Sequence, residues 1–172
     1  MQSAPLQYFN SWSPASVLVA GAFFVALLGA VGCGPSPSAT DTAAVDPVGW
    51  QQGDTAVLSF EVHQAAHRYD LFISLRNNQD YPFSNAFLFV QLVSPAGRTL
   101  TDTLECPLAL PDGRWLGRSW GRWVDHKIGY KPGIQFPVPG TYELRIVHAM
   151  RSDPLPGIAS VGLDLFDRGP GR

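Results

Sequence analysis

Apolar and polar positions alternate with a period of two through most of the chain beyond residue 55. Residues 56–62 set Leu58, Phe60 and Val62 against Val57, Ser59 and Glu61. Residues 69–76 set Leu71, Ile73 and Leu75 against Phe72, Ser74 and Arg76. Residues 86–94 set Leu88, Val90 and Leu92 against Phe87, Phe89, Gln91 and Val93. In residues 99–106, Leu100, Asp102, Leu104 and Cys106 share one phase. Tyr142, Leu144 and Ile146 oppose Glu143 and Arg145, and Val161, Leu163 and Leu165 close the series. Short runs of this kind, cut by Asn/Asp/Gly/Pro clusters, read as strands. At least six of them, with no amphipathic helix beyond the leader, predict an all-β antiparallel sandwich of jelly-roll or Ig-like type.

The stretch 69–117 organises the pattern. Its three runs are separated by Asn77-Asn78-Gln79-Asp80 and by Pro95-Ala96-Gly97. Parallel strands need a crossover of about a dozen residues, so the short breaks predict an antiparallel meander. Both faces of the middle run are apolar, which predicts a central strand buried on both sides. The Trp-rich segment after Leu116 is the candidate cover for its second face.

Composition changes the picture mainly at the N-terminus. The chain has 172 residues, a net charge of -2 and only 15% charged residues. No Lys or Arg precedes Arg68, and no basic face suggests nucleic acid. Residues 17–32 form an apolar run with small residues at its end, followed by Cys33. Residues 1–32 therefore read as a signal peptide, whose apolar run 17–32 is too short for a comfortable membrane span of about 20 residues. Ala30-Val31-Gly32-Cys33 resembles a bacterial lipobox and makes Cys33 the lipidation candidate. An ordinary signal peptide with Cys33 incidental is the alternative. Residues 33–49 are rich in Pro, Ser and small side chains and read as a flexible tether. Residues 50–167 are the expected sandwich and 168–172 a frayed tail. With Cys33 lipidated, Cys106 has no partner and reads as a small buried residue.

At the organising stretch the chain resembles a known family. YDLFISLRNNQDYPFSNAFLFVQL, TDTLE, LPDGRWLG, PGTYELRIVHAMR and PGIASVGLDL are similar to the gliding motility lipoprotein GldH family of Bacteroidetes. RNNxDYPFSN and DGxWLG are specific in combination. The resemblance implies a non-enzymatic outer-membrane lipoprotein of the gliding machinery, linked to type IX secretion. Its partners would be the membrane, through Cys33, and other proteins of that apparatus. Where family members commonly carry a Lys-rich stretch, this chain has RSWGRWVDHKIGY. Gly34 after Cys33, with no acidic residue before Asp41, resembles lipoproteins kept on the periplasmic side.

The residues themselves carry no catalytic motif. There is no G-x-S-x-G, P-loop glycine pattern or H-E-x-x-H, so no catalytic, cofactor-binding or metal-ligating residue is predicted. His63 and His67 are four apart, but on a strand end and loop. Asp102 points inward with Leu104 and Cys106 and needs a partner, with Arg76 or backbone amides as candidates for a buried polar pair. The loop around Asn78 and Asp80 reads as a turn built by side-chain hydrogen bonds, or as a recognition loop. Trp120, Trp123, Arg118 and Arg122 are the candidate partner-binding residues, because Trp and Arg are enriched at binding hot spots. Tryptophans packed over Phe72, Phe87 and Phe89 are the competing account, favoured for Trp115. A lipid-tethered carbohydrate-binding sandwich is the alternative function, and it calls for a flat Trp platform on a sheet face.

Overall fold

A computed structural model describes residues 36–171. The signal peptide and Cys33 lie outside the described residues. Nine strands follow in order: β1 (Ala39–Ala44), β2 (Ala56–Val62), β3 (His67–Asn78), β4 (Asn85–Val93), β5 (Thr99–Pro107), β6 (Arg118–Trp120), β7 (Trp123–Ile134), β8 (Gly140–His148) and β9 (Ile158–Pro170). They form one sheet of order β1-β9-β3-β7-β6 and another of order β2-β8-β4-β5. Every pairing is antiparallel. The two sheets make an all-β sandwich.

Period-two alternation does what it must in such a fold. Leu58 and Phe60 of β2, Leu71, Ile73 and Leu75 of β3, and Leu88 and Val90 of β4 all point inward and are buried. Leu144 and Ile146 of β8, with Val161, Leu163 and Leu165 of β9, complete the core. At one end Phe60, Tyr69, Phe136 and Tyr142 form an aromatic cluster, with Phe136 and Tyr142 centroids 4.7 Å apart. At the other end Trp50 is fully buried and exchanges backbone hydrogen bonds with Leu155.

Several expectations are corrected. The stretch 33–49 is not a tether throughout, because Ala39–Ala44 pairs with β9 over six positions. Its side chains are too small to announce a strand, and backbone pairing holds it. Asp41 also accepts a hydrogen bond from the Ser59 amide at 2.8 Å, tying β1 to β2 of the other sheet. At the far end β9 runs to Pro170, which pairs with His67, so residues 168–170 are strand and not tail.

The meander is corrected as well. β4 and β5 form the expected hairpin, but β3 lies in the other sheet between β9 and β7. The loop 79–84 carries the chain across the roughly 10 Å between stacked sheets, with Tyr81 buried beneath it. β4 is central, yet only one of its faces is buried. Phe89 on the other face is 48% exposed, and no Trp-rich segment covers it. Instead Phe89, Gln91, Thr101, Arg145 and Val147 line an open hollow of about 350 Å³.

The proposed Asp102–Arg76 pair does not form, since the two residues sit on different sheets and Arg76 faces outward. Arg76 binds Asp125 of β7 in a two-point contact, Nε to Oδ1 at 2.6 Å and Nη2 to Oδ2 at 3.1 Å. Both side chains are about half exposed, so neither is a buried polar group. Asp102 does point inward, at the open side of the sandwich. It accepts the Tyr130 hydroxyl at 2.7 Å and lies 2.9 Å from Lys131 Nζ, joining β5 to β7 across the two sheets. Those hydrogen bonds hold its carboxyl below the usual carboxylate range. Cys106 is buried and free, as read from its phase, and burial pushes its thiol up to about 12.

The candidate partner-binding end

Both motifs that carry the family resemblance meet at the Trp50 end of the sandwich. β3 does not break at Asn77 but runs through Asn78. Asn77 is fully buried and its Oδ1 accepts from Nε2 of the buried His126 at 2.8 Å. Burial pushes the His126 pKa down, which keeps the imidazole neutral for this bond. Asn78 Oδ1 accepts from the Asp80 amide at 3.0 Å, the side-chain turn expected of Asn and Asp. Its amide donates to Gly157 O at 2.8 Å. Ser84 O accepts the amides of Leu108 and Ala109, bringing the segment 107–117 alongside.

Within that segment Asp112 shapes the turn. It accepts from the Arg114 amide at 3.1 Å and from Arg114 Nε at 2.7 Å. Gly113 takes the left-handed φ of 84° that the turn needs. Trp115 pairs with Ala109 and sets its ring edge-on to His126, with centroids 6.2 Å apart. It therefore packs on the core side of β7, against the buried His126. Gly117 lies against the Asp125 carbonyl and the His126 ring, where a Cβ would be 2.7 Å from Nδ1.

The chain then turns into the β6–β7 hairpin. Trp120 pairs with Trp123 across a two-residue turn, Gly121 and Arg122. Gly121, at φ 56°, supplies the positive φ that such turns require at their first central position. The turn is clamped from the side. Gln79 donates from Nε2 to Gly121 O at 2.8 Å, and its backbone amide donates to Arg122 O at 3.0 Å.

The side chains this clamp presents are apolar and cationic. Trp120 is 75% exposed and Leu116 51% exposed. The Arg122 guanidinium lies 5.0 Å over the half-buried Trp123 ring. Arg118 and Arg122 have no carboxylate within salt-bridge distance among the described residues. Of the residues singled out in the sequence, Trp120, Trp123, Arg118 and Arg122 thus share one hairpin, and the Asn78–Asp80 turn abuts it. Arg76 reaches the same hairpin strand through Asp125, and Asp102 lies elsewhere. Sequence reasoning missed Gln79, which clamps the tip, and the Asn77–His126 pair beneath it. The only signal for either was the length of the polar run itself.

Chemistry of other kinds finds no constellation here. Among the described residues no group of three or more His, Cys, Asp or Glu side chains is placed to hold a metal ion. His67 binds the Asp167 carboxylate at 2.8 Å, and His63 lies 3.8 Å from Glu61 at the surface. His148 is buried against Trp50, with ring centroids 5.2 Å apart.

Fold and site together define an all-β sandwich with a clamped, Trp- and Arg-bearing hairpin at one end. The GldH lipoprotein family matches residues 38–165. The gliding motility lipoprotein GldH homolog of Christiangramia forsetii is 41% identical over 101 residues, covering 55% of this chain and 62% of that protein. Gliding motility lipoprotein GldH of Flavobacterium johnsoniae is 34% identical over 113 residues, covering 65% of this chain and 70% of that protein. The matched region thus spans a little under two thirds of the first relative's length. A family 35 carbohydrate binding module covers 83% of this chain and 93% of its own at 17% identity, with a TM-score of only 0.34. The chain belongs to the GldH lipoprotein family.

Proposed function

We propose that this chain is a non-enzymatic accessory or assembly component of the gliding motility and type IX secretion machinery. It is anchored in the outer membrane by acyl chains on Cys33 and faces the periplasm. The family match over residues 38–165 carries this reading. Two further features support it. Trp120 and Arg122 are held out from the fold on a clamped hairpin, as a docking residue pair should be. Gly34 follows Cys33 with no acidic residue before Asp41, consistent with retention on the periplasmic side. The sugar-binding alternative calls for a platform of tryptophans on a sheet face. Among the described residues the one widely exposed tryptophan sits at a hairpin tip.

Deleting the chain from its native host, and scoring both secretion of type IX cargo and spreading, tests the proposal. Loss of either function, restored by the wild-type chain but not by Cys33→Ala, is the expected result. Normal secretion and normal spreading would overturn it.

A further inference from the structure

The end of the sandwich opposite the hairpin has its own surface. The chain enters the fold there. The Ser38 amide donates to Leu165 O at 2.7 Å, and Leu165 pairs with Leu71, which pairs in turn with Lys131. From Leu71 the strand β3 runs seven residues to Asn78 at the hairpin end, about 23 Å at 3.3 Å per residue. Entry point and hairpin therefore lie at opposite ends.

An apolar groove of about 220 Å³ opens at the entry end, lined by Leu92, Arg98, Leu100, Ile134, Phe136 and Pro137. Beside it Leu100 and Val138 are 47% and 40% exposed. Pro95, Pro137 and Pro139 are exposed on the flanking turns. The carboxylates of this end have partners: Asp70 binds Arg168, Asp102 binds Lys131, and Asp167 binds His67. Glu61 lies near His63 at the surface. Arg68 and Arg98 are exposed with no carboxylate partner among the described residues.

The length of chain before Ser38 says what this surface meets. Ser38 lies five residue steps beyond Cys33, with only Gly34, Pro35, Ser36 and Pro37 between them. Fully extended, those steps span about 17 Å. A lipid on Cys33 therefore holds the entry end within a chain's reach of the bilayer interface, too close for the domain to stand clear on a long tether. We infer that the end around Leu100, Val138 and Arg98 rests on the phospholipid surface, with the apolar side chains at headgroup level and Arg68 and Arg98 against lipid phosphates. Interfacial seating of this kind combines buried apolar area with attraction of cations to anionic lipid. The domain then stands upright and presents Trp120 away from the membrane. This inference rests on the anchoring at Cys33 proposed above.

The test uses the lipidated chain reconstituted in vesicles of phosphatidylglycerol and phosphatidylethanolamine that contain a headgroup-level spin-labelled lipid. Val138→Cys and, separately, Trp120→Cys carry an environment-sensitive fluorophore. The thiol of Cys106 is buried and protonated, so it does not compete for label. Loss of fluorescence at position 138 with none at 120 is expected, and Arg98→Glu should weaken that loss while the chain still floats with the vesicles. Equal fluorescence at both positions in a chain that floats overturns the seating and leaves the anchor intact. A wild-type chain from the host that does not float with vesicles at all overturns the anchor reading itself.

Discussion

Trp50→Ala should lower the unfolding free energy by about 3–5 kcal/mol, the usual cost of emptying a fully buried aromatic site. The indole is completely shielded, and its Nε1 donates to Asp54 O at 2.7 Å. Trp50 also trades two backbone hydrogen bonds with Leu155, at 2.9 and 2.8 Å, and packs edge-on to His148. Removing the ring leaves a cavity, an unpaired carbonyl and a loosened 149–157 loop. A domain of this size is stable by about 5–15 kcal/mol, so the loss is a large fraction of the total. Urea unfolding of the mature chain measures this through the midpoint at constant slope. A loss below about 0.5 kcal/mol, the range of ordinary surface substitutions, would show that this corner contributes little.

The second large effect is expected at Gly117, the last residue of the DGRWLG motif. Alanine there brings a methyl group against the Asp125 carbonyl and the His126 ring, with Nδ1 at 2.7 Å. Neither can give way freely. Asp125 lies in β7 and holds Arg76, and the His126 ring is fixed by Asn77. Overpacking of this kind costs about 1–3 kcal/mol, and here it should displace β6 and with it Trp120. Gly53→Ala is the control, because nothing lies within 4 Å of its Cβ position. In urea unfolding Gly53→Ala should match the wild type within about 0.5 kcal/mol. Equal midpoints for the two variants would remove the packing explanation of the motif's final glycine.

Much of the sandwich was legible because alternation reports which side of a strand faces the core. Leu58, Leu71, Leu88, Leu144 and Leu163 are all inward, as their phases require. Alternation does not report which strand is the neighbour. β3 pairs with β7 and β9, far along the chain, and no local signal distinguishes that from pairing with β4. β1 was hidden for another reason: Ala39, Thr40, Ala43 and Ala44 lack the bulk that makes a pattern. Their small size suits them to lie along β9, where a side chain at Gly162 would meet Thr42 Oγ1 at 2.8 Å and Asp41 O at 2.9 Å. β7 looked like short pieces because Gly129, Pro132 and Gly133 interrupt its apolar run, and its pairing with β3 carries irregularities near Leu71.

The candidate site was legible by residue type and not by geometry. Trp and Arg density pointed to the hairpin, and Trp120 and Arg122 do sit at its tip. Its rigidity comes from Gln79 and Asn77, whose contacts span more than forty residues in sequence. Asp102 and Arg76 shared an inference only because charge invites pairing. Sheet membership separates them, and each found the partner that its own neighbours supplied.

The most direct test of the account is complementation of the deletion host with a chain carrying both Trp120→Ala and Arg122→Ala. Both side chains are surface groups on the hairpin tip, so the variant should fold and reach the membrane at the wild-type level. The account predicts that it fails to restore type IX secretion or spreading. Full restoration of both, at equal chain levels, would contradict the claim that this end of the sandwich docks the partner.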